Sequence, residues 1–249
     1  MELYLNERID EVNDSLSLIQ KTDGLTFGTD ALLLAGYVNS KYKMGAELGG
    51  GSGIISMLLL ARQKVAECVA YEIQEEYAEL ITRNAEHNSL EERLTAVNTD
   101  VRDISPCEKF DIVFTNPPYM KATGGLNNKN DKKSIARHEI YGTVRDFCIA
   151  AKRLLKFGGA FYAVYRPDRL ADIVNAMREA ELEPKRITFV HADISSESSM
   201  VLIEAKRGGK SGLQLTRPLI IYSDAEHKEY SSDMDYIMKN GSFPSDFKR

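Results

Sequence analysis

From Met44 onward the chain alternates short apolar runs with longer amphipathic stretches, and this rhythm constrains its fold more than any other feature. Such alternation is what βα units require, and βα units in series build a parallel sheet with helices on its faces. The runs predict strands near 44–48, 68–73, 94–98, 110–115, 160–165, 186–190 and 200–205. Helices are predicted between them, near 52–61, 75–88, 144–155 and 169–180, with Gly158-Gly159 as a stop for the third. Two helix-free stretches interrupt the pattern, 120–141 and 207 to the C-terminus; within the second, Leu219-Ile220-Ile221-Tyr222 reads as an added strand. The first has the length of a lid or binding loop and is expected to be mobile in the free protein. At 249 residues the chain fits one large domain. It divides into a cap over 1–43, ending in an apolar helix near 31–38, a core over 44–206 and an appendage over 207–249.

Composition narrows the function classes. Hydrophobic residues make up 43% and charged residues 28%, an ordinary globular balance. The start lacks a basic segment followed by an apolar one, and apolar runs such as 54–61 are too short to cross a bilayer, so a cytoplasmic protein without membrane contact is expected. Cys68, Cys107 and Cys148 form no Cys-x-x-Cys pair, and His87, His138, His191 and His227 have no ligand spacing, so neither disulfide nor metal is implied. A net charge of -5 argues against a non-specific nucleic-acid coat. One local basic stretch remains: Lys121, Lys129, Lys132, Lys133 and Arg137 stand against a single acid, Asp131. It fits phosphate contacts, and equally a solvated loop.

The tetrapeptide Asn116-Pro117-Pro118-Tyr119 closes the apolar run at 110–115 and points to methyl transfer onto a planar nitrogen. An amide or aromatic amine is a poor nucleophile because its lone pair is delocalised, so its NH2 group must be held through acceptors while the nitrogen becomes pyramidal. Asn116 Oδ1 and the Pro117 carbonyl are the candidate acceptors. Paired prolines fix φ and remove two backbone donors, leaving a rigid turn. Tyr119 offers a ring for a flat substrate group to stack on.

A glycine turn, Glu47-Leu48-Gly49-Gly50-Gly51-Ser52-Gly53, follows the first of these strands. Glycines allow close backbone approach, and the helix beyond supplies free N–H groups, so a nucleotide-like ligand fits there. The dinucleotide fingerprint places its third glycine one residue later, which counts against NAD. Glu72, at the next strand end and about 20 residues on, can accept both ribose hydroxyls. Asp100, after the third strand, can accept from an adenine amino group, or simply cap a helix.

In order and spacing, Glu47-x-Gly49-x-Gly51-x-Gly53, Glu72, Asp100 and Asn116-Pro117-Pro118-Tyr119 resemble the Rossmann-like class I S-adenosylmethionine-dependent methyltransferases, with Glu47 where Asp is common and an unusually polar first strand. The resemblance implies an α/β fold with a seven-stranded sheet of order 3-2-1-4-5-7-6, strand 7 antiparallel, helices on both faces and a small N-terminal cap. It implies S-adenosylmethionine as cofactor, S-adenosylhomocysteine as product, and cofactor contacts from Gly28, Thr29, Glu47, Gly49, Gly51, Gly53, Glu72, Ile73, Asp100, Val101 and Asn116. It assigns the catalytic turn to Asn116, Pro117, Pro118 and Tyr119.

Within that class, Gly24 to Leu34 and Ala136-Arg137-His138-Glu139 are similar to the bacterial tRNA adenine-N6 methyltransferases that modify a valine tRNA beside its anticodon. On that likeness Gly28-Thr29-Asp30 closes over the methionine part of the cofactor, though Thr29-Asp30 also fits a cap for the following helix. The implied partner is tRNA, the implied state a monomer, and the implied chemistry in-line displacement by the N6 amine. Another planar acceptor, a protein glutamine or the N2 of guanine in RNA, is the alternative. A cofactor-sensing module without turnover and a nicotinamide oxidoreductase are weaker readings.

Overall fold

The computed structural model describes residues 3–22, 27–117 and 141–247. Pro118, Tyr119 and the basic stretch from Lys121 to Arg137 lie outside the described residues, as does the expected mobile loop. The N-terminal segment opens with an antiparallel hairpin, β1 (Glu7–Asn13) and β2 (Leu16–Lys21), followed by α1 (Thr29–Tyr37). The βα series follows: β3 (Tyr42–Leu48), α2 (Ile54–Ala61), β4 (Val65–Glu72), α3 (Glu75–His87), β5 (Leu94–Asn98) and β6 (Phe110–Thr115). Beyond residue 141 come α4 (Val144–Leu154), β7 (Leu155–Tyr165), α5 (Leu170–Glu179), β8 (Leu182–His191) and β9 (Ser198–Arg207). Two short strands, β10 (Gln214–Leu215) and β11 (Leu219–Ile220), and α6 (Ser232–Asn240) complete the described chain.

The large sheet has the order β5-β4-β3-β6-β7-β9-β8, with β10 and β11 pairing in succession along the outer edge of β8. All its pairings are parallel except those of β9, which runs antiparallel to β7 and β8. Side chains alternate between the faces. Ile112, Phe114, Tyr162, Val164 and Leu202 enter a core with α1, α2, α3 and α6, whereas Val113, Phe161, Ala163, Val201 and Ile203 enter a second core under α4 and α5. Gly45 explains the weakly apolar character of β3. A Cβ there would lie 2.9 Å from Val65 Cγ1 and 3.3 Å from Ile112 Cγ2, so the central strand gives up a side chain to its neighbours.

Four expectations are corrected. Among the described residues the sheet has nine strands rather than seven, because the C-terminal segment adds two. The cap holds a hairpin before its helix. Gly158-Gly159 does not stop α4, which ends at Leu154; the pair sits in a bulge of β7 between Leu155, opposite Phe110, and Ala160, opposite Ile112. A Cβ on Gly159 would meet the carbonyls of Lys156 and Asp111 at 3.0 and 3.1 Å. Finally, the segment after 207 is not helix-free. Ser231 caps α6 through Met234 N, and Gly241, at φ 61°, ends it in the left-handed region.

Both terminal segments pack on the same face. Lys64 Nζ donates to the carbonyls of Ala35 (2.8 Å) and Gly36 (3.1 Å), closing the C-terminus of α1. Arg186, 3% exposed, donates to Tyr37 O at 2.9 Å and Phe247 O at 2.8 Å, pairs with Glu204, and lies 3.8 Å from the Tyr37 ring centroid. The edge of β2 is covered by side chains of α3 that stand in for a neighbouring strand. Asn84 accepts from Ile19 N (2.7 Å) and donates to Ile19 O (3.0 Å), and one turn later Asn88 accepts from Ser17 N (3.1 Å) and donates to Ser17 O (2.8 Å). Asn84 Nδ2 also reaches Ser52 O at 3.1 Å, linking the hairpin to the glycine turn.

Asn84→Ala should therefore cost about 2–3 kcal/mol, the usual penalty for orphaning buried backbone groups. Hydrogen exchange should show faster opening at Ser17 and Ile19, with little change in β6 and β7.

Candidate active site

The register of the central strands assembles the site. Leu48 on β3 is the partner of Tyr71 on β4 and of Thr115 on β6, so Gly49, Glu72 and Asn116 leave three adjacent strands at one level. Thr115 Oγ1 donates to Leu48 O at 2.8 Å and fixes the relative height of the two chain exits. The turn after β3 is tied to β4 by Gly49 N and Gly50 N, which both donate to Tyr71 O. Gly49, Gly51 and Gly53 all have positive φ, at 72°, 54° and 82°, and Gly53 forms the N-cap of α2 in the left-handed region.

Glu72 is buried, and each of its oxygens receives one backbone N–H: Gly51 N at 2.9 Å on Oε2 and Gln74 N at 3.0 Å on Oε1. Lone pairs remain on both oxygens for further donors. Asn98, which sequence reasoning passed over, secures this turn by donating to the carbonyls of Glu72 (3.0 Å) and Ile73 (2.9 Å). Asp100 caps the short turn Val101–Asp103 through Arg102 N, and its carboxylate is paired with the Arg102 guanidinium, which holds its pKa below the usual range. It is thus a cap and an ion-pair partner in this structure, and Val101 beside it is buried.

Asn116 shows the most informative geometry. Its Nδ2 donates to Asp30 Oδ2 at 2.7 Å, and its Oδ1 is buried without a hydrogen-bond partner among the described residues. A carboxylate only accepts, so the amide end facing Asp30 must be the NH2 group and the orphan must be the carbonyl oxygen. Asp30 stands in the first turn of α1, 86 positions away in sequence, between Thr29, one of the expected site residues, and the apolar run of the helix. Gly28 forms the N-cap of that helix and Pro117 is buried. Beside Asp30 lies a cavity of ≈ 280 Å³ lined by Thr29, Asp30, Arg166, Ser199 and Met200. Arg166 and Ser199 were not among the expected site residues; both come from strand ends remote from any motif.

The residues present fit S-adenosylmethionine. A Cβ on Gly51 would meet nothing within 4 Å, so the turn leaves open space above its backbone, next to the Glu72 carboxylate. The orphaned Asn116 oxygen lies across the same rim.

Glu47 lies beneath the turn, 1% exposed, accepting from Ser56 N at 3.1 Å and from Ser56 Oγ. Burial pushes its pKa up to about 8, with the Ser56 hydrogen bonds opposing and the Glu72 charge adding to the rise. The unfolded carboxylate titrates near 4.3, so between that value and 8 the folded chain holds a proton that the unfolded chain has released. The stabilising contribution is full below about pH 4 and is lost as pH rises through 8. Glu47→Gln should melt higher than the parent at pH 9 in the absence of ligand, with the gap shrinking toward pH 5; thermal scans at several pH values check this.

Among the described residues no helix is long and apolar enough to cross a membrane. Residues 21–181 match the family described as the methyltransferase small domain. Curated relatives include a tRNA1(Val) (adenine(37)-N6)-methyltransferase of Flavobacterium psychrophilum, 26% identical over 195 residues, covering 77% of this chain and 82% of the relative. One from Phocaeicola vulgatus is 27% identical over 180 residues, covering 72% and 76%. Among solved structures, a predicted O-methyltransferase from Agrobacterium tumefaciens superimposes with a TM-score of 0.71 at 24% identity, over 86% of this chain and 98% of that one. Geranyl diphosphate C-methyltransferase from Streptomyces coelicolor, in complex with S-adenosyl-L-homocysteine, gives 0.55 at 13% identity, over 72% and 78%. The structural likenesses bear on the fold alone. The family match, however, runs from the end of β2 to the turn after α5, well over half of the chain, so this protein belongs to the methyltransferase small domain family.

Proposed function

We propose that this protein transfers the methyl group of S-adenosylmethionine to the N6 amino group of an adenine in tRNA. The orphaned, buried Oδ1 of Asn116 carries the reading, because it is an acceptor held ready for an N–H donor that none of the described residues supplies. Methyltransferase family membership supports the reaction class, and the names of the curated relatives support the acceptor. Gly49, Gly51 and Gly53 with Glu72 and Ile73 would hold the nucleoside side of the cofactor, and Gly28 and Thr29 its other end. When bound, that cofactor supplies a methyl group on a sulfonium, already activated for displacement.

The protein's own share is positioning. Asn116 Oδ1 and the Pro117 carbonyl accept the two N–H bonds of the amine, which draws the lone pair out of the ring plane toward the methyl carbon. As the amine took the methyl group, the breaking C–S bond would leave its electron pair on sulfur as S-adenosylhomocysteine, and Asn116 Oδ1 and the Pro117 carbonyl would face the positive charge arriving on nitrogen. The extra proton then leaves to solvent, and no covalent enzyme intermediate forms. In this reading Tyr119 stacks on an adenine turned out of its loop, and Lys121, Lys129, Lys132, Lys133 and Arg137 contact phosphates.

Incubation with isotope-labelled S-adenosylmethionine and tRNA lacking its modifications, followed by nucleoside mass spectrometry, tests the proposal. The expected product is N6-methyladenosine. Asn116→Ala should lower the single-turnover rate by about 10²–10³-fold, the range for losing one preorganised partner of developing charge. Label in a protein glutamine, with none in RNA, would overturn the acceptor.

A further inference from the structure

We infer that Asp30 is a positioning residue for the transfer, holding the Asn116 amide in the one orientation that presents an acceptor to the amine. The inference rests on the reading of Asn116 given above. An asparagine amide has two ends of nearly equal shape and opposite polarity, and nothing in its covalent structure decides which faces a substrate. Here the Asp30 carboxylate decides. Its Oδ2 takes the Nδ2 hydrogen at 2.7 Å, a charge-assisted bond, and leaves the Asn116 Oδ1 with no partner among the described residues. A negative charge at the N–H end also pushes electron density through the amide toward Oδ1, strengthening that oxygen as an acceptor while the amine turns positive.

Two further observations show that the site is built around this carboxylate. Its other oxygen, Oδ1, accepts from Ala31 N at 2.9 Å, so both oxygens are committed to donors. A neutral asparagine at position 30 would bring one acceptor and one donor to two donors, and the mismatch would fall on Ala31 or on Asn116. Gly28, in turn, makes room. A Cβ there would lie 2.9 Å from Asp30 Oδ1, so the glycine lets the carboxylate fold back over the start of α1. The Gly-Thr-Asp segment thereby gains a role on the acceptor side of the reaction, beyond covering the methionine end of a cofactor. Among the described residues, Arg166, paired with Asp168, is the other charged side chain lining the adjoining cavity.

The test compares the parent with Asp30→Asn, Asn116→Asp and the exchange Asp30→Asn/Asn116→Asp. Single-turnover rates on tRNA, cofactor binding by calorimetry and melting temperature from about pH 5 to 8 are measured for each. With cofactor held saturating, as the calorimetry fixes for each variant, Asp30→Asn should lose at least about 100-fold in single-turnover rate. Asn116→Asp sets two carboxylates against each other, which raises the pKa of one in the folded state. Its melting temperature should therefore fall relative to the parent as pH rises through that window. The exchange restores a donor facing an acceptor: the new amide at position 30 donates to the new carboxylate at position 116, whose second oxygen still faces the amine. Its pH slope should return to that of the parent, and its rate should exceed that of Asp30→Asn by at least about tenfold.

A parental rate in Asp30→Asn, or an exchange variant that keeps the pH slope of Asn116→Asp, would overturn the inference. The melting measurements need no substrate, so they decide on the contact even if the parent methylates no adenine. Should the parent label a protein glutamine instead, the acceptor reading fails, and the rate comparison is made on that substrate.

Discussion

The register of three adjacent parallel strands sets everything else in this molecule. Once Leu48 stands beside both Tyr71 and Thr115, the chain exits after β3, β4 and β6 lie at one height. Parallel pairing sends all three exits to the same rim, where backbone groups have left the sheet and are available to ligands. A slip of one residue would turn Ile112 and Phe114 out of one core and Val113 into it, so the two apolar faces enforce the alignment that the chemistry uses. The absent side chain of Gly45 belongs to the same constraint, since β3 must lie close to both neighbours to keep this register.

The rim has two sides of different character. On one, glycines and a buried carboxylate present a polar, largely backbone surface, tied down by Tyr71 O and Asn98. On the other, residues from α1, β7 and β9 surround a cavity, with the Asn116 amide and its Asp30 partner beside it. This division suits a reaction between two bound molecules, because each is held by different elements and only the displacement axis has to be shared.

Local pattern made the βα series legible, since each strand-to-helix step changes the period of its apolar residues. The order of chemical residues along the rim was equally accessible, because each sits just after a strand. What the sequence hid was of four kinds. The β1–β2 hairpin is short and charged, and it is held in place by Asn84 and Asn88, which read as ordinary helix surface. The glycine pair at 158–159 carries a turn signal, yet two carbonyls crowding a bulge explain it. The Asp30–Asn116 contact joins residues 86 positions apart, and only the packing of α1 against the sheet brings them together. α6 was missed because turn-forming residues surround it, although its serine cap and closing glycine were both present in the sequence.

Arg186 gives the molecule an order of assembly. Its guanidinium holds the carbonyl of Tyr37, at the end of α1, and that of Phe247, near the far end of the described chain. A ribosome releases Tyr37 long before Arg186 and Phe247, so the seat at the end of α1 is completed only after both have emerged. Every glycine of the cofactor turn, and Asn116 itself, emerges well before that seat is complete. A nascent or truncated chain would thus display the recognisable residues of the family before the two ends of the described fold are joined through Arg186.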